Sequence, residues 1–162
     1  MPSYLNIQIH VNASRAIIKL EQMAERAKDF RPVFRWAKRE LGLMNGANFA
    51  QGGLPVGGWS PLNPQYAEWK SRNYPGRPDM VVSKKLFNSL RNLNGPANRI
   101  GLTTAEFGTD VEYAKFHQYG TNKMPKRQIV YEPAGFANML AMLSARYVVE
   151  GTVGVGNGQL LP

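Results

Sequence analysis

The chain contains no cysteine, and only two histidines and eleven acidic residues among its 162 positions. Without cysteine there is no disulfide, no thiol nucleophile and no thiolate metal site, in keeping with a reducing interior. No apolar run approaches the ~18–20 residues of a membrane-spanning helix, and no basic-then-apolar leader is present, so neither a membrane partner nor a secretory signal is expected. His10 and His117 stand in unrelated contexts, with no His-Glu-x-x-His helix and no paired-histidine spacing, so no metal or other cofactor is expected. The acids are scattered singly and offer no carboxylate pair for acid–base work. Gly-x-Ser-x-Gly and phosphate-cradling Gly-Lys-Ser/Thr are absent, and Gly151-x-x-Gly154-x-Gly156 opens no helix. His117 alone, with no evident partner, makes no positive case for an enzyme.

What is abundant is positive charge: twenty Lys and Arg give a net charge of +9. Between positions 70 and 99, Lys70, Arg72, Arg77, Lys84, Lys85, Arg91 and Arg99 face only Asp79. Lys123, Lys126 and Arg127 form a second cluster. Such fields attract nucleic acid or an acidic protein surface, or are simply solvated. No recognition helix, zinc-finger spacing or ribonucleoprotein pattern accompanies them.

The length favours one domain. The patterning predicts an α+β fold: a long N-terminal helix and a C-terminal helix packed on a small antiparallel sheet, with a long Gly/Pro-rich loop. Residues 1–150 form that domain, residues 42–64 its extended loop, and residues 151–162 a glycine-rich tail expected to be flexible or to order only against a neighbour. Residues 4–11 alternate with period two, which predicts a half-buried strand with His10 on its wet face. Asn12 or Ser14 then caps a helix carrying Ala13, Ile17, Leu20, Ala24 and Ala27 on one stripe. Pro32 demands a kink or a fresh start near Asp29 to Arg31, after which Val33, Phe34, Ala37 and Leu41 continue an apolar face to a stop at Gly42. Six glycines and three prolines between positions 42 and 64 predict the loop. Asn63-Pro64 reads as a helix start with Tyr66, Trp69 and Lys70 behind it. Ser83 caps a helix bearing Leu86, Phe87, Leu90 and Leu93. A hairpin over 99–102 and 106–109, a short strand at 128–131 and a helix from Pro133 to Val149 complete the pattern.

The stretch from Phe107 to Arg127 organises the rest. Asp110 can cap a helix with Glu112 in its first turn, Gly120 can end it in a left-handed conformation, and Pro125 discourages a restart. So short a helix is unstable alone and must be pinned through Tyr113, Phe116 and His117. It is either a packed connector or a functional surface.

Two blocks carry a resemblance. Gly58-Trp59-Ser60-Pro61-Leu62, followed by Tyr66 and Lys70, resembles the "W-x-P-L…K" segment of bacteriophage virion-morphogenesis proteins. Tyr113-Ala114-x-x-His117-Gln118-x-Gly120, followed by Pro125 to Arg127, resembles that family's second block, which often reads Arg-Pro-Phe where this chain has Arg127-Gln128-Ile129. The resemblance spans residues 13 to 150. It implies a structural protein of the virion neck or tail: a ring of copies around the DNA channel, meeting connector, portal-adaptor or tail proteins, with non-specific contact to packaged DNA. Trp59, Pro61, Leu62, Tyr66, Tyr113, His117, Gln118 and Gly120 are then motif or interface residues, with Trp59, Pro61 and Leu62 expected to fasten their loop onto the 110–120 helix. Lys70, Lys123, Lys126 and Arg127 would face a partner or DNA. A basic nucleic-acid-binding module without enzymatic activity is the alternative.

Overall fold

The computed structural model describes residues 12–154, so the strand expected over 4–11, His10 on it, and residues 155–162 of the tail lie outside it. The described elements are helices α1 (Ser14–Arg26), α2 (Arg31–Ala50), α3 (Pro64–Asn73) and α4 (Lys85–Asn92), strands β1 (Arg99–Ile100) and β2 (Ala105–Glu106), and helices α5 (Ala114–Tyr119) and α6 (Phe136–Glu150). The α+β class is as expected: helices pack on a small antiparallel hairpin, with Arg99 opposite Glu106 and Ile100 opposite Ala105. The hairpin is shorter than predicted, because the chain already turns at Gly101, whose amide donates to the Thr104 carbonyl at 2.8 Å. The Phe30 amide donates to the Leu102 carbonyl at 2.7 Å, tying the turn to the start of α2.

The long N-terminal arm breaks where Pro32 requires it. Asp29 accepts from the Arg31 amide at 3.0 Å and from its guanidinium Nε at 2.9 Å. That pairing, made mainly by side-chain hydrogen bonding to Arg31, holds the Asp29 carboxyl down to about 2. Pro32 follows in the first turn, where a missing N–H costs no helical bond. Upstream, Ala13 rather than Ser14 is the cap position of α1, and Asn12 accepts from the Ser14 amide at 3.1 Å.

The expected stop at Gly42 is corrected. Helix α2 runs on to Ala50, so the loop before α3 begins at residue 51 rather than 42. Gly42 serves close packing instead: a Cβ there would stand 2.3 Å from the Arg91 carbonyl oxygen, and one on Gly46 would stand 2.7 Å from Arg91 Cδ. Two glycines a turn apart let α4 lie against α2 backbone to backbone. Asn45, buried on the same side, donates to the Leu90 carbonyl at 3.0 Å and tightens the crossing. Helix α4 itself begins from Lys84 in a left-handed conformation, and the Ser83 hydroxyl accepts from the Lys85 amide at 3.4 Å, a longer contact than the expected cap.

The main core gathers Phe49, Val81, Leu86, Leu90, Val111, Ala114 and Ile129, with Trp59, Met80 and Phe87 packed against it. Helix α6 covers the other end through Phe136 and Leu143. It stays helical to Glu150. Arg26 of α1 donates to the Val148 carbonyl at 2.7 Å. No residue of α1 is buried, and Ile17, Ile18 and Leu20 are exposed. Among the described residues no helix is long and apolar enough to cross a membrane.

Candidate functional site

The two sequence blocks meet, and they do so by exchanging hydrogen bonds. Trp59 donates its indole N–H to the Gln128 carbonyl at 2.9 Å. In return Arg127 donates Nε to the Ser60 carbonyl at 2.9 Å and Nη2 to the Pro61 carbonyl at 2.8 Å. Each segment thus supplies a side chain that satisfies the other's backbone. Trp59 also meets Phe49 edge-on, with ring centroids 5.3 Å apart. Its ring lies against Gly53, where a Cβ would stand 2.2 Å from Trp59 Cδ1. Hydrogen bonds therefore fasten the loop to residues 127–128 and ring packing fastens it to the end of α2, while Trp59 packs against the cluster that contains Val111 and Ala114.

Residues 128–131 form no strand, correcting that expectation; side chains take the place of a ladder. Gln118 accepts from the Ile129 amide at 2.9 Å and the Val130 amide at 3.0 Å, and donates to the Val130 carbonyl at 2.9 Å. Asn48 donates to the Gln128 carbonyl at 3.1 Å. An isolated segment thereby has its backbone paired without a neighbouring strand.

Helix α5 begins at Ala114, with Tyr113 at its cap position, so Asp110 is not its cap and Glu112 precedes rather than enters its first turn. The Thr109 hydroxyl displaces Asp110: it accepts from the Val111 amide at 3.2 Å and pairs with the Ser89 hydroxyl at 2.7 Å, setting a turn ahead of the helix. Gly120 ends α5 at φ 76° with ψ 177°, positive in φ but outside the left-handed helical region expected. A Cβ there would stand 2.8 Å from the Lys126 amide, so glycine is required as the chain doubles back. The following turn is closed by Thr121 and Met124, and the Arg127 amide returns to the His117 carbonyl at 2.8 Å.

Two residues expected to present charge do not. Lys70 is 4% exposed, its ammonium donating to the Arg77 and Pro78 carbonyls at 2.7 Å each. Arg127 is 6% exposed and spent on the clasp. Asn63 caps α3 as predicted, which aims Lys70 inward at the 77–78 turn. Lys123 and Lys126 remain exposed.

Pro61, Leu62, Tyr66, Tyr113, His117, Lys123 and Arg127 line one groove of ≈ 680 Å³, with Met80, Leu86, Phe87 and Met124 among its apolar members and Lys84 and Lys85 beside them. Tyr113 meets the His117 ring perpendicularly at 6.0 Å. His117 Nδ1 is buried and has no hydrogen-bond partner among the described residues. Burial, and secondarily the charge of Arg127, push the His117 pKa below its ordinary 6.5. His117 therefore stays neutral in the fold where the unfolded chain already binds a proton, so this group withdraws stability as pH falls through about 6.5. The melting temperature of the wild type should drop more between pH 7.5 and pH 5.5 than that of His117→Gln; parallel curves would reject the assignment. Among the described residues no group of three or more His, Asp or Glu is placed to hold a metal ion.

Sequence reading missed Asn45, Asn48 and Gly53 as structural members of this site. For the α2–α4 crossing that Asn45 tightens, the signal was the glycines at positions 42 and 46, a small-residue spacing that permits close helix approach; nothing local marked Asn48 or Gly53. A model of the phage virion morphogenesis family matches residues 11–146, most of the chain. No match was found among curated proteins or among solved structures.

Proposed function

The chain belongs to the phage virion morphogenesis family, which gives it a role in building the virion, and from that premise we propose that it is a structural protein of the phage neck. In this reading copies form a closed ring that completes the tail or joins it to the head around the DNA channel. Its neighbours there are connector, portal-adaptor or tail proteins, and it carries out no catalysis.

The observation that supports the reading is the two-sidedness of α5. One side faces the groove, apolar within and edged by Lys84, Lys85 and Lys123. At about 100° per residue, Tyr119 projects from the side opposite His117. It is 78% exposed, in a patch with Asp110, Glu112 and Val130. A groove edged by lysines and an exposed Tyr119 beside Asp110, Glu112 and Lys115, on opposite sides of one short helix, offer two different surfaces for head-to-tail contact, and such contact closes into a ring when the rotation permits. The motif side chains Trp59, Gln118 and Arg127 act on backbone, holding the groove's walls in place rather than working on a substrate.

Native mass spectrometry of the purified chain, alone and with portal or tail-tube protein, tests the reading; closed rings are expected. Lys84→Glu with Lys85→Glu should weaken association about tenfold, and Asp110→Lys with Glu112→Lys on the other side should restore it. A protein that stays monomeric in every mixture would overturn the ring.

A further inference from the structure

The strongest unassigned feature lies away from the groove, on the outer side of the α2–α4 crossing. Arg35, Lys38 and Arg39 share one face of α2 by their three- and four-residue spacing. Arg91 joins them because Gly42 and Gly46 admit α4 so closely that its side chain lies along α2. Together with Asn92 and Asn94 they line a shallow recess of ≈ 250 Å³ that has no apolar residue in its wall. Asn94 accepts from the Lys38 ammonium at 2.7 Å and so positions it without neutralising it. Glu40 pairs with Arg39 at 2.9 Å. Among the described residues no carboxylate forms an ion pair with Arg35, Lys38 or Arg91. Asp29, whose field reaches Arg35, is taken up by Arg31.

We propose that this recess is a phosphate-backbone site for duplex DNA, holding the polyanion by charge and reading no bases. Arg, Lys and Asn are side chains that fix a protein on phosphates. A protein partner would be anchored by aromatic or aliphatic side chains, and the recess has none. Most of the exposed apolar surface lies elsewhere, on α1, α3, α5 and α6, and Leu43 of α2, though exposed, is not part of the recess wall. The setting rests on the ring reading, in which this face would look into the channel; the binding itself requires no ring.

Fluorescence anisotropy with a labelled mixed-sequence duplex, repeated across salt concentrations, tests the site. Four phosphate contacts at about 0.9 each predict a log–log salt slope near −3.6, or roughly a 10²-fold loss between 50 and 200 mM salt. Arg35→Gln/Lys38→Gln/Arg91→Gln should flatten that slope to about −1, and Lys38→Gln alone should lower its magnitude by about one. Lys123→Gln/Lys126→Gln should leave it unchanged. The proposal is overturned by wild-type protein that does not bind at low salt, by a folded triple variant or Lys38→Gln that keeps the full slope, or by polyglutamate competing as well as duplex does. Native mass spectrometry on the same samples separates the two readings: monomers that still bind DNA through these residues would strike the ring and spare the site.

Discussion

Gly42→Val is expected to lower the unfolding free energy by about 3 kcal/mol, at the upper end of what forced overpacking costs. For a chain of this length that corresponds to a melting temperature about 10 °C lower. The alanine Cβ position already collides with the Arg91 carbonyl oxygen at 2.3 Å and its carbonyl carbon at 3.3 Å. Both are backbone atoms at the end of α4, so no side-chain rotation relieves the clash. The helices must separate, and the core beneath them opens, because Phe49 of α2 packs there with Leu86 and Leu90 of α4. Asn45 would lose its bond to the Leu90 carbonyl, leaving buried polar atoms unpaired. Alanine at 42 gains helix propensity of up to about 1 kcal/mol over glycine, so Gly42→Ala should be milder than the valine variant yet still destabilising. Urea unfolding of the pair measures this. A Gly42→Ala protein as stable as wild type would mean that the two helices do not approach so closely.

The same glycine shows where sequence reading succeeds and where it fails. Local signals were legible: Pro32 forced a new helix, Asn63-Pro64 opened one, and the leucine spacing around Leu86 and Leu90 marked another. Gly42 was misread because a glycine that ends a helix and one that admits a neighbouring helix are the same residue; only the position of Arg91, far along the chain, distinguishes them. The glycines and prolines from position 42 onward made the second half of α2 look like a loop, although it is helical and its Asn45 and Asn48 amides serve distant carbonyls. Lys70 and Arg127 read as surface charge in the sequence because such side chains are seldom buried. Each is buried here by carbonyls that a turn or a loop presents to it, and no local pattern announces that. The two motif blocks were visible as residues, but their reciprocal bonding was not, since it joins backbone atoms that any sequence possesses.

That reciprocity carries the second large effect. Arg127→Met should cost about 3 kcal/mol, because two charge-assisted hydrogen bonds are lost from a residue that is only 6% exposed. Arg127→Lys should recover less than half of that, since a single ammonium cannot reproduce the fork that meets the Ser60 and Pro61 carbonyls together. Trp59→Phe keeps the aromatic packing on Phe49 and removes only the indole donor to Gln128, for about 1 kcal/mol. Because both side chains fasten the same pair of segments, the double variant should lose less than the two separate losses added together, by about 1 kcal/mol. Strict additivity in urea unfolding would show two independent contacts instead of one clasp. The clasp also holds Pro61 and Leu62 in the groove wall, so Arg127→Met should release amide protection across residues 57–62 and, under the proposed ring, lower self-association with it. Loss of stability with assembly intact, measured well below the melting temperature, would separate the groove from self-association.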